Sequence, residues 1–130
     1  MVKQVKLIQY VDKTASNSTT ARINKAIALA SVSDMRQKHG AVLVNGGRVI
    51  SFGINTLRNS VQQHTHVPYD AISSHAEVAC LSGLTFASTK GGKLYVARIS
   101  YGGNIANSKP CAACFRYISI WTQVREVIYT

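Results

Sequence analysis

Two short stretches constrain this chain more than any other feature: Ser74-His75-Ala76-Glu77 and, further on, Lys109-Pro110-Cys111-Ala112-Ala113-Cys114. One imidazole and two thiols are ligands that zinc prefers, and a catalytic zinc site takes three protein ligands and leaves one position open. His75, Cys111 and Cys114 supply three. Glu77 is left over, and a carboxylate beside an open zinc position is the proton shuttle that a hydrolytic reaction needs. In the first turn of a helix, two side chains two residues apart splay by roughly 200°. His75 and Glu77 would therefore border one cavity without chelating together. Cys111 and Cys114, three apart, fall on the same side of a helical turn. Pro110 suits a helix start, where its missing N–H costs no hydrogen bond. A helix N-terminus also favours thiolate, the form that binds metal.

The acid content sharpens the reading of Glu77. The chain carries 15 Lys and Arg against 5 acids, Asp12, Asp34, Asp70, Glu77 and Glu126, for a net charge of +10. In so acid-poor a chain, a Glu two residues after a candidate ligand stands out. The excess favours anionic partners, either nucleotides or single-stranded DNA or RNA. The basic residues are scattered, so charge alone does not separate a mononucleotide from a polymer. The 130 residues fit a single domain, 1–130, with a sizeable core. No apolar run is long enough to cross a bilayer, and the first six residues lack the pattern of a signal peptide. Of the three cysteines, two are claimed by the metal, which argues against a disulfide framework and for a reducing, cytoplasmic setting.

Periodicity places the motifs. Residues 2–11 fit an edge strand or a short helix. After the polar loop 14–20, Ile23, Ala26, Ile27 and Ala30 recur at helical spacing, which predicts a first helix from Thr19 to Lys38 with Gly40 at its exit. Ala41–Val44 and Arg48–Gly53 read as a hairpin about Asn45-Gly46-Gly47. Thr56–Ser73 is a long loop carrying Arg58, His64, His66, Pro68 and Tyr69, of the length that functional lids have. Ser74 is the expected cap of the helix that carries His75, Glu77, Cys80 and Leu81, with Gly83 closing it. Cys80 lies off the ligand side and reads as a small buried hydrophobe. A central strand follows at Lys93–Ile99. The second cysteine-bearing helix runs from Cys111 to Trp121, with Phe115, Ile118 and Trp121 on one side. Glu126–Tyr129 is a last strand reached by a crossover helix, hence parallel to the third.

This order of elements and the paired His-x-Glu and Pro-Cys-x-x-Cys motifs resemble the zinc-dependent cytidine and deoxycytidylate deaminase superfamily, in a small, phage- or virus-like form, from about residue 20 onward. The resemblance implies an α/β fold of three layers, α/β/α, whose mixed sheet has four or five strands, with Zn2+ at the N-termini of two helices. Larger members continue with another helix and a fifth strand; here the N-terminal segment supplies that edge strand, or the sheet has four. The implied reaction is hydrolytic deamination of cytosine in a free nucleoside or nucleotide, cytidine, deoxycytidine or deoxycytidylate, with Glu77 moving protons. The implied substrate contacts are Asn55, Ala76, Ser108 and Lys109, with Arg58, His64 or Lys109 meeting a 5′-phosphate. His64 and His66 would contact substrate or hold a second metal. The competing readings are a deaminase of single-stranded DNA or RNA, acting on cytosine or adenine, and a non-catalytic zinc-stabilised module. Relatives are often oligomeric, so a homo-oligomer is a further expectation.

Overall fold

The computed structural model describes residues 4–57 and 73–130. Its elements, in chain order, are β1 (Lys6–Gln9), α1 (Asn17–Ala30), β2 (Lys38–Asn45), β3 (Arg48–Ile54), β4 (Thr56–Leu57), β5 (Ser73–Ser74), α2 (Ala76–Leu81), β6 (Lys93–Ile99), β7 (Ile105–Ala106), α3 (Ala112–Trp121) and β8 (Glu126–Tyr129). The main sheet runs β1-β8-β6-β2-β3, and the two-residue β7 pairs with β6 as a sixth strand. β4 and β5 pair with each other apart from it.

Alternation along the strands builds three layers. Ala41, Leu43, Leu94, Val96 and Val127 turn to one face and pack under α2 and α3. Val42, Val44, Tyr95, Ala97 and Ile128 turn to the other and pack against Ile23 and Ala26 of α1. Such two-sided burial explains why β2 and β6 read as nearly continuous apolar runs. The Gly46-Gly47 turn has φ of 60° and 76° at its two centre positions, the mirror-image geometry that closes a two-residue hairpin. β8 lies parallel to β6, with Leu94 opposite Val127, as the crossover helix requires. The edge position beyond β8 is filled by the N-terminal strand, parallel again, with Leu7 opposite Val127. Of the two expectations for this segment, its described residues take the edge strand, at Lys6–Gln9.

Helix α1 departs from expectation. It ends at Ala30, not at Lys38, and Lys38–Gly40 already belong to β2. The reason lies in Ser31-Val32-Ser33, a run of weak helix formers whose hydroxyls compete for backbone partners. The Ser31 hydroxyl donates to Ala28 O at 2.6 Å, and the Ser33 hydroxyl leaves the helix altogether to donate to Asn55 O at 2.8 Å. Gly40 is therefore no helix exit. It sits where β2 passes under α1, and a Cβ there would overlap the Ala26 carbonyl oxygen and lie 2.6 Å from Ala30 N. Both obstacles are backbone. Gly40→Ala should destabilise the chain by about 3 kcal/mol or more, the upper end of overpacking costs. Urea denaturation measures this directly; a variant within about 0.5 kcal/mol of the parent, the ordinary range for surface changes, would contradict the packing.

Helix α3 also presents a different face from the one expected. Cys114, Tyr117 and Ile118 are buried, Phe115 is half-buried, and Trp121 is 56% exposed at the last helical position. Cys114 faces His75, and its neighbours three and four residues on follow it into the core.

Candidate metal centre and active site

The ends of three strands and the starts of two helices meet at one end of the sheet. β2 enters there, β3 and β6 leave there, and α2 and α3 begin there. Helix α2 is drawn against β3 by Gly53, where a Cβ would stand 2.5 Å from Cys80 N and 2.7 Å from Ala76 O. Ser74 does not cap α2. It is held opposite Thr56 in the β4–β5 pair, so the helix starts one residue later and His75 is the N-cap, with φ −73° and ψ 147°. The His75 side chain makes no capping bond. It turns instead toward α3, where Cys111 is the N-cap. Pro110 accordingly lies one residue outside the helix, rather than at its first position.

His75, Cys111 and Cys114 converge, with all candidate ligand atoms within 4.8 Å of one another. His75 Nδ1 lies 3.0 Å from Cys114 Sγ and 3.6 Å from Cys111 Sγ, so Nδ1 is the ring nitrogen that faces the sulfurs. Cys111 Sγ accepts from the Cys114 backbone N–H at 3.5 Å. The Cys114 thiol and the His75 imidazole, both hydrogen-bonded to Cys111, hold its thiol down to about 3. The same bond and burial push the Cys114 thiol up. Hydrogen bonding to Cys111 also raises His75. One nitrogen and two sulfurs at this separation are a donor set that fits Zn2+. Cys80 is fully buried and pushed up to about 12 by burial, which leaves it the inert small hydrophobe expected.

A cavity of about 620 Å³ opens beside this cluster, within the usual size of small-molecule sites. Glu77 lines it, 4% exposed, and burial raises its carboxyl above the ordinary range. Asn55, Ala76 and Lys109 also line it, as do Asp34, Met35, Arg36, Gln37 and His39. Asn55 spends most of its carboxamide on the cavity wall itself. Its Oδ1 accepts from His39 N and from the Ser33 hydroxyl, both at 2.8 Å, and its Nδ2 donates to Gln37 O at 2.6 Å. That leaves one amide hydrogen for a further partner. Ser108 is buried, its hydroxyl donating to Val96 O at 2.8 Å and accepting from Thr130 N at 2.8 Å, so it is occupied in the sheet. Arg58, His64 and His66, with the second-metal reading, lie outside the described residues.

The segment 34–39 is the part of the wall that sequence reasoning missed, because the helical pattern was carried through it. The Ser31-Val32-Ser33 break was the signal that could have found it. It brings two side chains of note. Arg36 stands over the Tyr101 ring with its guanidinium carbon 5.4 Å from the centroid. His39 is pushed down to about 4 by burial and by the charge of Arg98.

Among the described residues, no helix is long and apolar enough to cross a membrane. No curated protein matches this chain. Among solved structures it is similar to the dCMP deaminase of cyanophage S-TIM5, at 23% identity and a TM-score of 0.64, with 89% of this chain and 84% of that one covered. It is also similar to the cytidine deaminase of Mycobacterium tuberculosis, at 23% identity and a TM-score of 0.53 over 92% and 85% of the two chains. A guanine deaminase of Bacillus subtilis follows at 20% identity and 0.55, over 85% and 62%. These likenesses bear out the α/β fold of three layers. The family model for the cytidine and deoxycytidylate deaminase zinc-binding region matches residues 15–130. The chain belongs to the cytidine and deoxycytidylate deaminase family of zinc-dependent hydrolytic deaminases.

Proposed function

We propose that this enzyme removes the amino group of cytosine in a free nucleotide, with deoxycytidylate-type monophosphates as its substrates. The observation that carries the reading is one cavity holding a buried carboxyl, Glu77, beside the His75, Cys111 and Cys114 cluster, with Arg36 and Lys109 also on its wall. A buried acid of raised pKa beside a metal site is suited to proton transfer near neutral pH. Two cations in so small a cavity suit a phosphate. The S-TIM5 enzyme, of similar fold, was crystallised with dCMP and dUMP.

His75 Nδ1, Cys111 Sγ and Cys114 Sγ would hold the zinc, which when bound supplies an acidified water for attack on the ring carbon. Glu77 accepts a proton from that water and delivers it to N3 of the base. It then takes the second proton, from the hydroxyl newly joined to C4, and passes it to the amine, so that the C4–N bond breaks as the C4 carbonyl forms and ammonia departs. Asn55 holds the wall at Ser33, Gln37 and His39, and Lys109 with Arg36 takes the phosphate.

A panel of deoxycytidine, deoxycytidylate and a short single-stranded oligonucleotide, assayed for ammonia release, tests this. Deoxycytidylate should exceed deoxycytidine in kcat/KM by about tenfold or more, the value of one charged hydrogen bond. Deamination of the oligonucleotide in preference, falling steeply with salt, would replace the free-nucleotide reading with the polymer one.

A further inference from the structure

His39 stands at a position where packing asks only for an apolar side chain. Side chains alternate along a strand, and two and four residues further along β2 the same face is filled by Ala41 and Leu43, both fully buried under α2 and α3. At the mouth of that row the chain places an imidazole. Its register partner on β6 is Arg98, which shares the face with Leu94 and Val96. Arg98 Nε is buried and has no hydrogen-bond partner. A half-buried imidazole beside a guanidinium with an unmatched nitrogen is a costly arrangement for a strand end. Nothing in the core requires it.

The ring is held in place by its backbone. His39 N donates to Asn55 Oδ1 at 2.8 Å, and His39 O accepts from Asn55 N at 3.3 Å. Asn55 thus clamps the residue from both sides, and Gly40 next to it is locked under α1. His39 lines the cavity together with His75, Glu77 and Cys111. The ring therefore shares one cavity wall with the cluster. The atom that reacts must also come to the cluster, which brings the heterocycle, rather than the phosphate, to this part of the wall.

We propose that His39 is a specificity-determining residue of this site, its imidazole hydrogen-bonding the polar edge of the substrate heterocycle. Burial and Arg98 keep the ring neutral at physiological pH, and its one N–H is drawn to the Gln37 carbonyl, which leaves the other ring nitrogen as an acceptor. An acceptor there matches a base edge that carries an amino group, and a site that pairs with such an edge discriminates strongly against a base that lacks it. The inference rests on the nucleobase reading above for the chemistry of its ligand.

The test compares the zinc-loaded full chain with His39→Val and His39→Gln. On deoxycytidylate, His39→Val should raise KM by about tenfold or more, with kcat moving less. His39→Gln, which keeps an acceptor, should recover part of that loss. The thermal midpoints of the three should agree within a few degrees. Equal KM values for parent and Val variant overturn the proposal, as do equally impaired Val and Gln variants with lowered midpoints. A second measurement does not depend on turnover. In a Glu77→Gln background, the ring 15N resonances of His39 should shift in a saturable way as deoxycytidylate is added, and deoxyadenylate and deoxyguanylate are titrated alongside. If the parent deaminates none of these, the proposed function fails, while a saturable His39 shift with any of the three bases sustains this inference. No shift with any of them overturns it.

Discussion

Glu77→Gln is expected to leave a folded, zinc-loaded chain that no longer releases ammonia. The carboxyl is 4% exposed inside the cavity, and its raised pKa comes mainly from burial. Gln has nearly the same shape but cannot take a proton from water and return it to the base. Loss of a positioned general acid–base group costs about a hundred- to ten-thousand-fold in rate. Stability should not fall, because the amide removes a buried ionisable group and the cost of desolvating it. The measurement is ammonia release beside zinc content and a denaturation curve. A Gln variant that keeps zinc and turns over within about tenfold of the parent contradicts the role assigned to Glu77. A variant that loses zinc would make Glu77 part of the metal shell instead.

Cys114→Ser should empty the metal site and lower stability together. Cys114 is fully buried, 3.0 Å from His75 Nδ1, and hydrogen-bonded to Cys111. No other His, Cys, Asp or Glu among the described residues joins the three-residue cluster to take its place. Zinc content should fall from one per chain to near zero. When free zinc stands at a hundred times Kd, its binding adds about 2.7 kcal/mol to the native state. For a chain of this size that corresponds to a loss of ~10 °C in thermal midpoint. A chelator should bring the parent down to the variant and leave the variant unmoved. Zinc affinity should also weaken as pH falls, since the protons held by Cys114 and His75 must leave before the metal binds. A Ser variant that retains stoichiometric zinc would break the three-ligand assignment.

The local determinants of this fold are readable in one dimension because they act over a few residues. Lys93–Ile99 alternates into two faces, and the strand has those bounds in space. Gly46-Gly47 closes its hairpin because both positions need positive φ, a property of the glycines themselves. The metal cluster was likewise legible: an N–S–S donor set with a spare carboxylate is a chemical statement before it is a geometric one. So was the parallel pairing of Glu126–Tyr129 with β6, since an intervening helix permits little else.

What lies between those motifs was decided only by contacts distant in sequence. Helix propensity carried α1 too far, because nothing near Ser33 announces that Asn55, 22 residues away, will take its hydroxyl. Ser74 is a good capping residue, yet pairing with Thr56 displaced that position to His75, which frees the imidazole to face α3. The helical spacing of Phe115, Ile118 and Trp121 was real, but the demand that Cys114 meet His75 set the rotation of α3. His39 shows the difference most clearly. In the sequence it is one polar residue before Gly40. Only the pairing of β2 with β6 sets it opposite Arg98 and on the cavity wall beside the metal cluster. Composition and spacing thus determined which chemistry the chain carries, and tertiary pairing decided which side chains surround it, because a strand's register and a helix's end are settled by partners that local propensity does not encode.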